Sequence, residues 1–367
     1  MRKTLIFIIM IWLFVTPVFA SDLNGELSGF NYAAAEEEFY EGTGIKINFA
    51  DLVYGAVSGD GFWDKTADLF IDRVLGEGLA SLKGIRLLII MGILSGFFKN
   101  LTDSFAKKGT AETGFWVCYM VCVGLGLGAF LPMVKLMSGF CSEVSGFVQS
   151  CLPLMLTVIT AGGSPTEALS YGGIVSLSVG VTAKLAETLI APLLRLAAVI
   201  CVVNCISEEK SLDKLFILIK KLTETALKAG AVLFGLVCSL SKLGSGAGGG
   251  LIKKGAKAAV EMVPIAGDVI KGSLDAGAAV LGAVKSGTGI VFIVLIGVYA
   301  ALPVLKVLTA GLAFKLAAGL IEPVCDKRIA EMADSLGDLT FLILGVIFLV
   351  SYVFIFGALV FIAITNG

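Results

Sequence analysis

The stretch LPVLKVLTAGLAFKLAAGLIEP, residues 302–323, has the apolar content of a membrane helix and carries two amines, Lys306 and Lys315. The two lysines are nine residues apart, so about 100° per residue turns them to opposite faces of a straight helix. An amine held inside a bilayer can line a polar path for a proton or an ion. It costs roughly 2.5–3.5 kcal/mol at the centre of a span. Two such costs, with no carboxylate before Glu322 in the stretch, are hard to offset. The sequence therefore favours a break at Gly311, or a shallow re-entrant hairpin, from which both amines reach the cytoplasmic surface. A pathway role for one lysine is the alternative.

Other chemistry is sparse. The chain has no histidine, which removes histidine triads, histidine metal ligands and the usual near-neutral proton switch. The eight cysteines form no framework. Cys118/Cys122 and Cys201/Cys205 are four apart and share helix faces, but they sit in apolar runs where cysteine packs as a small hydrophobe. The run GSGAGGG (244–250) lacks the spacing of a phosphate loop and reads as a flexible connector. GLGLG (124–128) lies inside an apolar span, where small residues serve close helix contact. No catalytic, cofactor-binding or metal-binding set emerges, and the expectation is a protein that is not an enzyme. A net charge of −1 lacks the basic footprint of a nucleic-acid binder.

The elements that must hold these residues are set by composition. Of 367 residues, 57% are hydrophobic and 16% charged, against about 25% charged in a soluble domain. That apolar excess calls for lipid, and the fold class is an all-α polytopic integral membrane protein. Residues 1–20 read as a signal peptide, cut after Ala20. Residues 21–80 are the exported segment: a loose acidic stretch, NYAAAEEEFYEG, then short amphipathic helices with Trp63 at the interface. Residues 81–367 form the transmembrane domain. About eight spans are expected, near 84–98, 114–134, 146–162, 168–189, 190–206, 226–243, 289–305 and 339–364. The fourth and fifth meet at Ala191-Pro192, and one long kinked helix is the alternative there. Lysine and arginine placement puts loops 207–225 and 306–338 inside, although 244–288 falls outside with five lysines. Within it, an amphipathic elbow over 251–288, split by Pro264, lies on the membrane surface and offers a partner contact.

Two segments echo each other: AFLPMVKLMS (129–138) and AALPVLKVLT (300–309) both place proline three residues before lysine, the pattern an internal repeat would leave. MVPIAGDVIKGSLDAGAAVLGAVKSGTG (262–289), followed by LPVLKVLTAGLAFKLAAGLIEP, resembles the stage III sporulation protein AE family of endospore-forming bacteria. The matching residues are Pro264, Gly267, Asp275, Lys285 and Gly289, then Pro303, Lys306, Lys315 and Pro323. A weaker resemblance extends over the chain, through the signal peptide, SGDGFW and the order of spans, and departs in a short early exported segment and around Cys325. The resemblance implies a scaffold or channel-base subunit of the complex that links mother cell and forespore. It implies a place in the mother-cell-derived membrane around the forespore, with the N-terminal segment in the intermembrane space. It also implies partners: ring-forming subunits, a secretion-type ATPase and small multi-span proteins. A secondary transporter for a small solute is the rival reading, suggested by the broken helices and the repeat.

Overall fold

The computed structural model describes residues 33–43, 46–49, 51, 52, 90, 93, 108–161, 165–206, 212–240, 287–323 and 327–365. The signal peptide, Trp63, the span near 84–98 apart from residues 90 and 93, Pro264, Gly267, Asp275 and Lys285 lie outside them. Every regular element among the described residues is helical: α1 (Ala33–Thr43), α2 (Lys108–Ala161), α3 (Pro165–Leu185), a π-helical turn (Ala186–Ile190), α4 (Ala191–Ile206), α5 (Asp213–Leu240), α6 (Gly287–Ile321) and α7 (Lys327–Thr365).

Four runs among the described residues are long and apolar enough to cross a membrane: Tyr119–Thr157, Ala168–Asn204, Gly289–Ile321 and Lys327–Ile362. The sequence suggests about eight spans over the whole chain, and part of the difference is fusion. Segments 114–134 and 146–162 belong to one helix, α2, which carries Pro132 and Pro153 inside it. Segments 168–189 and 190–206 join through the π turn into one continuous run. The cause is Pro192, which has no N–H to give and whose ring crowds the carbonyl four residues back. Widening the preceding turn relieves both, and the Ala191 N–H bonds to Ala186 O, five residues behind. The kinked-helix alternative is therefore the one adopted.

Two expected loops are helical instead. Within 207–225, helix α5 begins at Asp213, so Lys214, Lys220 and Lys221 ride on a helix. Within 306–338, α6 runs to Ile321, turns at Glu322 and Pro323, and α7 resumes at Lys327. Gly311 does not break α6. Its bare face admits α7, with the Phe341 ring and the Thr340 methyl each 3.4 Å from where a Cβ would stand. Thr309 returns its hydroxyl to the helix's own backbone, at Leu305 O (2.8 Å) and Lys306 O (3.0 Å), so that its polar group is satisfied inside an apolar rod.

Helix α7 is the centre of the bundle, touched by α2, α3, α4, α5 and α6. Its side chains Ile343, Ile347, Val350 and Phe361 are fully buried. The α6–α7 pair is antiparallel: Gly311 meets Thr340, and Gly289 lies against Ile362, so close that a Cβ there would collide with it. Helix α3 is fixed by Tyr171, whose hydroxyl sits 3.1 Å from Gly357 O and 3.1 Å from Met155 Sδ.

Candidate functional site

Two constellations stand at different levels of the bundle. The first is built on the α6–α7 hairpin. The stem of Lys315 crosses α7 over Gly337, its Cγ, Cδ and Cε 3.1–3.3 Å from where a Cβ would stand. The glycine is the bed on which the lysine lies. The Lys315 amine then reaches Asp334 Oδ1 (2.7 Å) on one side and Asp338 Oδ1 (2.5 Å) on the other. These carboxylates are four residues apart, so one helical turn presents both to one amine. The second oxygen of Asp338 accepts from Lys220 on α5 at 2.7 Å. Two amines and two carboxylates thus tie α5, α6 and α7 together with no net charge.

This arrangement answers the problem posed by 302–323 for Lys315. The stretch lacks a counter-ion of its own, but its hairpin partner supplies two. Helix α6 has 35 residues, about 52 Å at ~1.5 Å per residue, well beyond a hydrocarbon layer of ~30 Å. Lys315 lies six residues from its end, so its charge sits near one terminus of the rod rather than in its middle. Lys306 is half-buried, nine residues deeper.

The second constellation surrounds α1. The acidic stretch expected to be loose is a helix, for which its alanines and glutamates have good propensity. Its Ala35 and Phe39 are buried. The Phe39 ring meets Phe147 edge-on at 5.7 Å and Tyr299 at 5.3 Å, and Phe147 continues to Phe292 at 6.5 Å. Glu36 accepts the Phe49 N–H (2.6 Å), which folds the chain back so that the Phe49 ring meets Phe292 at 5.1 Å. The Tyr299 hydroxyl reaches Glu38 O at 3.4 Å. Glu38 itself covers Gly146, where any Cβ would collide with its carboxylate. From Tyr299 to Lys315 is 16 residues of α6, about 24 Å along the axis. The aromatic dock and the ion-pair clamp are therefore separated by nearly a bilayer core.

Of the sequence-predicted positions, Lys315 belongs to the clamp, and Pro323 is an exposed turn residue beside it. Gly289 is a packing contact at the far end of the hairpin, and Pro303 is buried inside α6 between the two. Sequence reading missed Lys220, Asp334, Gly337 and Asp338. The Asp334–Gly337–Asp338 spacing was a usable signal, but nothing local says that it faces Lys315. The two proline–lysine echoes are not used alike: Phe130, Val134 and Met137 are buried around the first, Pro303, Val304 and Val307 around the second. Cys122, Cys141, Cys151 and Cys201 are buried among apolar side chains, as small hydrophobes would be.

The model of the family described as stage III sporulation protein AE matches residues 47–365. The chain belongs to that family. The stage III sporulation protein AE of Bacillus subtilis (strain 168) is 22% identical over 291 residues, which cover 79% of this chain and 73% of that protein. No solved structure matches the chain. For the stage III sporulation protein AE family, which is not a known enzyme family, membership implies a role in sporulation. The clamp and the dock both fall inside the matched residues, apart from α1 itself.

Proposed function

We propose that this protein is a membrane-embedded scaffold or channel-base subunit of the stage III sporulation complex connecting mother cell and forespore. Family membership supports the process. The observation that carries the mechanical part is the clamp, in which Lys315 holds Asp334 and Asp338 and Lys220 holds the same Asp338, so that one shared carboxylate ties α5, α6 and α7. A carrier that alternates access must slide or rock such helices against one another. Ion pairs that interlock three helices at one level suit a fixed base instead. The same end carries Lys214, Lys221, Lys327 and Arg328, and it is the placement of lysine and arginine, whatever acids stand beside them, that marks the cytoplasmic side. On this reading α1 lies toward the intermembrane space, and the other stage III membrane proteins dock on the bundle.

The test is a lock across the bundle. A Cβ at Gly357 on α7 would stand 3.6 Å from Val175 Cγ2 on α3, so Val175→Cys with Gly357→Cys can form a disulfide. It joins the earlier and later halves that a repeat-built carrier would rock. Oxidised protein that supports spore formation at the wild-type yield fits a fixed scaffold. Loss of sporulation on oxidation, recovered on reduction at equal protein level, refutes the scaffold and favours the transporter.

A further inference from the structure

Helix α5 has two finished faces. Phe216, Ile219, Thr223, Ala226, Leu227 and Ala231 are buried against the bundle. The opposite face repeats at alternating steps of three and four: Leu215, Leu218, Leu222, Thr225, Ala229 and Val232, all exposed. That is the a/d pattern of a helix that expects a helical neighbour. Leu218 is 61% exposed and Leu222 is 50% exposed. Exposed Lys214, Lys221 and Lys228 recur every seven residues along one flank, each directly before an a position.

The depth of this stripe identifies what covers it. Helix α5 runs parallel to α7, because Lys220 meets Asp338 and Gly230 meets Leu349. Leu215, Leu218 and Leu222 thus lie at the level of Lys220, Lys315, Asp334 and Asp338. Four charges gathered at one level belong in water or headgroups, not in hydrocarbon. A leucine row at that level is not served by lipid, and among the described residues nothing covers it, which leaves an apolar patch in water. A second copy is a poor match for the flank. Antiparallel α5 helices would set lysine against lysine, and in a parallel pair the lysines would meet Ile219 and Ala226, which are already buried. Carboxylates on the neighbour's flank satisfy the lysines.

We infer that the outer face of α5 is a docking surface for an amphipathic helix of another protein, with apolar a and d positions and Asp or Glu along the flank that meets Lys214, Lys221 and Lys228. The inference rests on the reading of this protein as a subunit of a larger assembly. Its test does not depend on sporulation.

Purified full-length protein in lipid nanodiscs is titrated with a fluorescent heptad peptide bearing leucine at a and d and glutamate at e and g. A matched peptide carries lysine in place of glutamate. Wild type should bind the acidic peptide at least tenfold tighter than the basic one. Leu218→Ser with Leu222→Ser should abolish binding. Lys214→Glu, Lys221→Glu and Lys228→Glu together should reverse the preference; all five positions are exposed, and an unchanged thermal unfolding midpoint verifies the fold. Equal binding of both peptides by wild type, or binding of neither, overturns the inference. So does a disulfide-linked dimer of Leu218→Cys in a background without native cysteines, which assigns the face to a second copy. Quenching of a probe on that cysteine by doxyl-labelled lipid, undiminished by the acidic peptide, assigns it to lipid and overturns the inference equally. None of these failures touches the scaffold reading, which the disulfide lock decides.

Discussion

At the residue scale the clamp is asymmetric. Asp338 serves two amines and Asp334 one, and Asp334 is the more exposed, 54% against 36%. An ion pair at the surface is worth about 0–1 kcal/mol, and stranding one partner of a buried pair costs about 3–5 kcal/mol. Half-exposed Asp338 falls between. Asp338→Asn should destabilise the bundle by about 1–3 kcal/mol and Asp334→Asn by under about 1 kcal/mol. Thermal unfolding in detergent ranks the two, and an equal or reversed order would show that the shared carboxylate is not the hub. A second residue-scale prediction concerns Gly289, which touches no ion pair here but abuts Ile362. Gly289→Val should cost about 1–3 kcal/mol by overpacking. Adding Ile362→Ala should recover a good part of it, because the cavity it opens is where the new methyls point. No recovery in the double variant would mean that the glycine serves something other than packing.

The elements show how the local rules and the tertiary structure share control. Helix α1 is short, 11 residues, below the length at which a helix is stable alone in water. Its persistence depends on Phe39 among Phe147 and Tyr299. Phe39→Ala removes a large buried ring, a change that costs about 3–5 kcal/mol in a core. It should release α1 without unfolding the bundle. Limited proteolysis in nanodiscs should then cut within 33–43 in the variant while the melting temperature holds. Protection equal to wild type would mean that Glu36, Glu38 and Phe49 suffice to hold the segment.

At the scale of the whole molecule the two constellations give the bundle two unlike ends, an acidic and aromatic one at α1 and one at the α6–α7 turn where lysines and an arginine are interleaved with carboxylates, several of the lysines in ion pairs. Basic residues concentrate on the cytoplasmic side of membrane proteins. Single cysteines at Glu37 and Lys221, both exposed, should therefore label from opposite faces in a background without native cysteines. In cells that hold the protein in the plasma membrane, Glu37→Cys should react with an impermeant reagent added outside and Lys221→Cys only after permeabilisation. Labelling of both from one side would remove the transmembrane orientation.

Composition, apolar run lengths and helix-breaking residues are local properties. They were enough to point to a helical membrane protein, as the described residues bear out, and to mark Ala191-Pro192 as the place where a helix is perturbed, there by a π turn inside one continuous run. The lysines of 302–323 stood out because the stretch offers no carboxylate before Glu322, but nothing local named a partner for them. The number of separate helices was less legible, because Pro132, Pro153 and Pro303 are each accommodated inside a helix, and a neighbour that stabilises a kink leaves no mark beside the proline. The clamp was not legible at all. Lys220 and Asp338 are 118 positions apart, and no periodicity within either helix says which residue across the bundle it faces. Only packing brings Gly337 beneath the Lys315 stem, and only then does that amine acquire the carboxylates that make its place in the bundle tolerable.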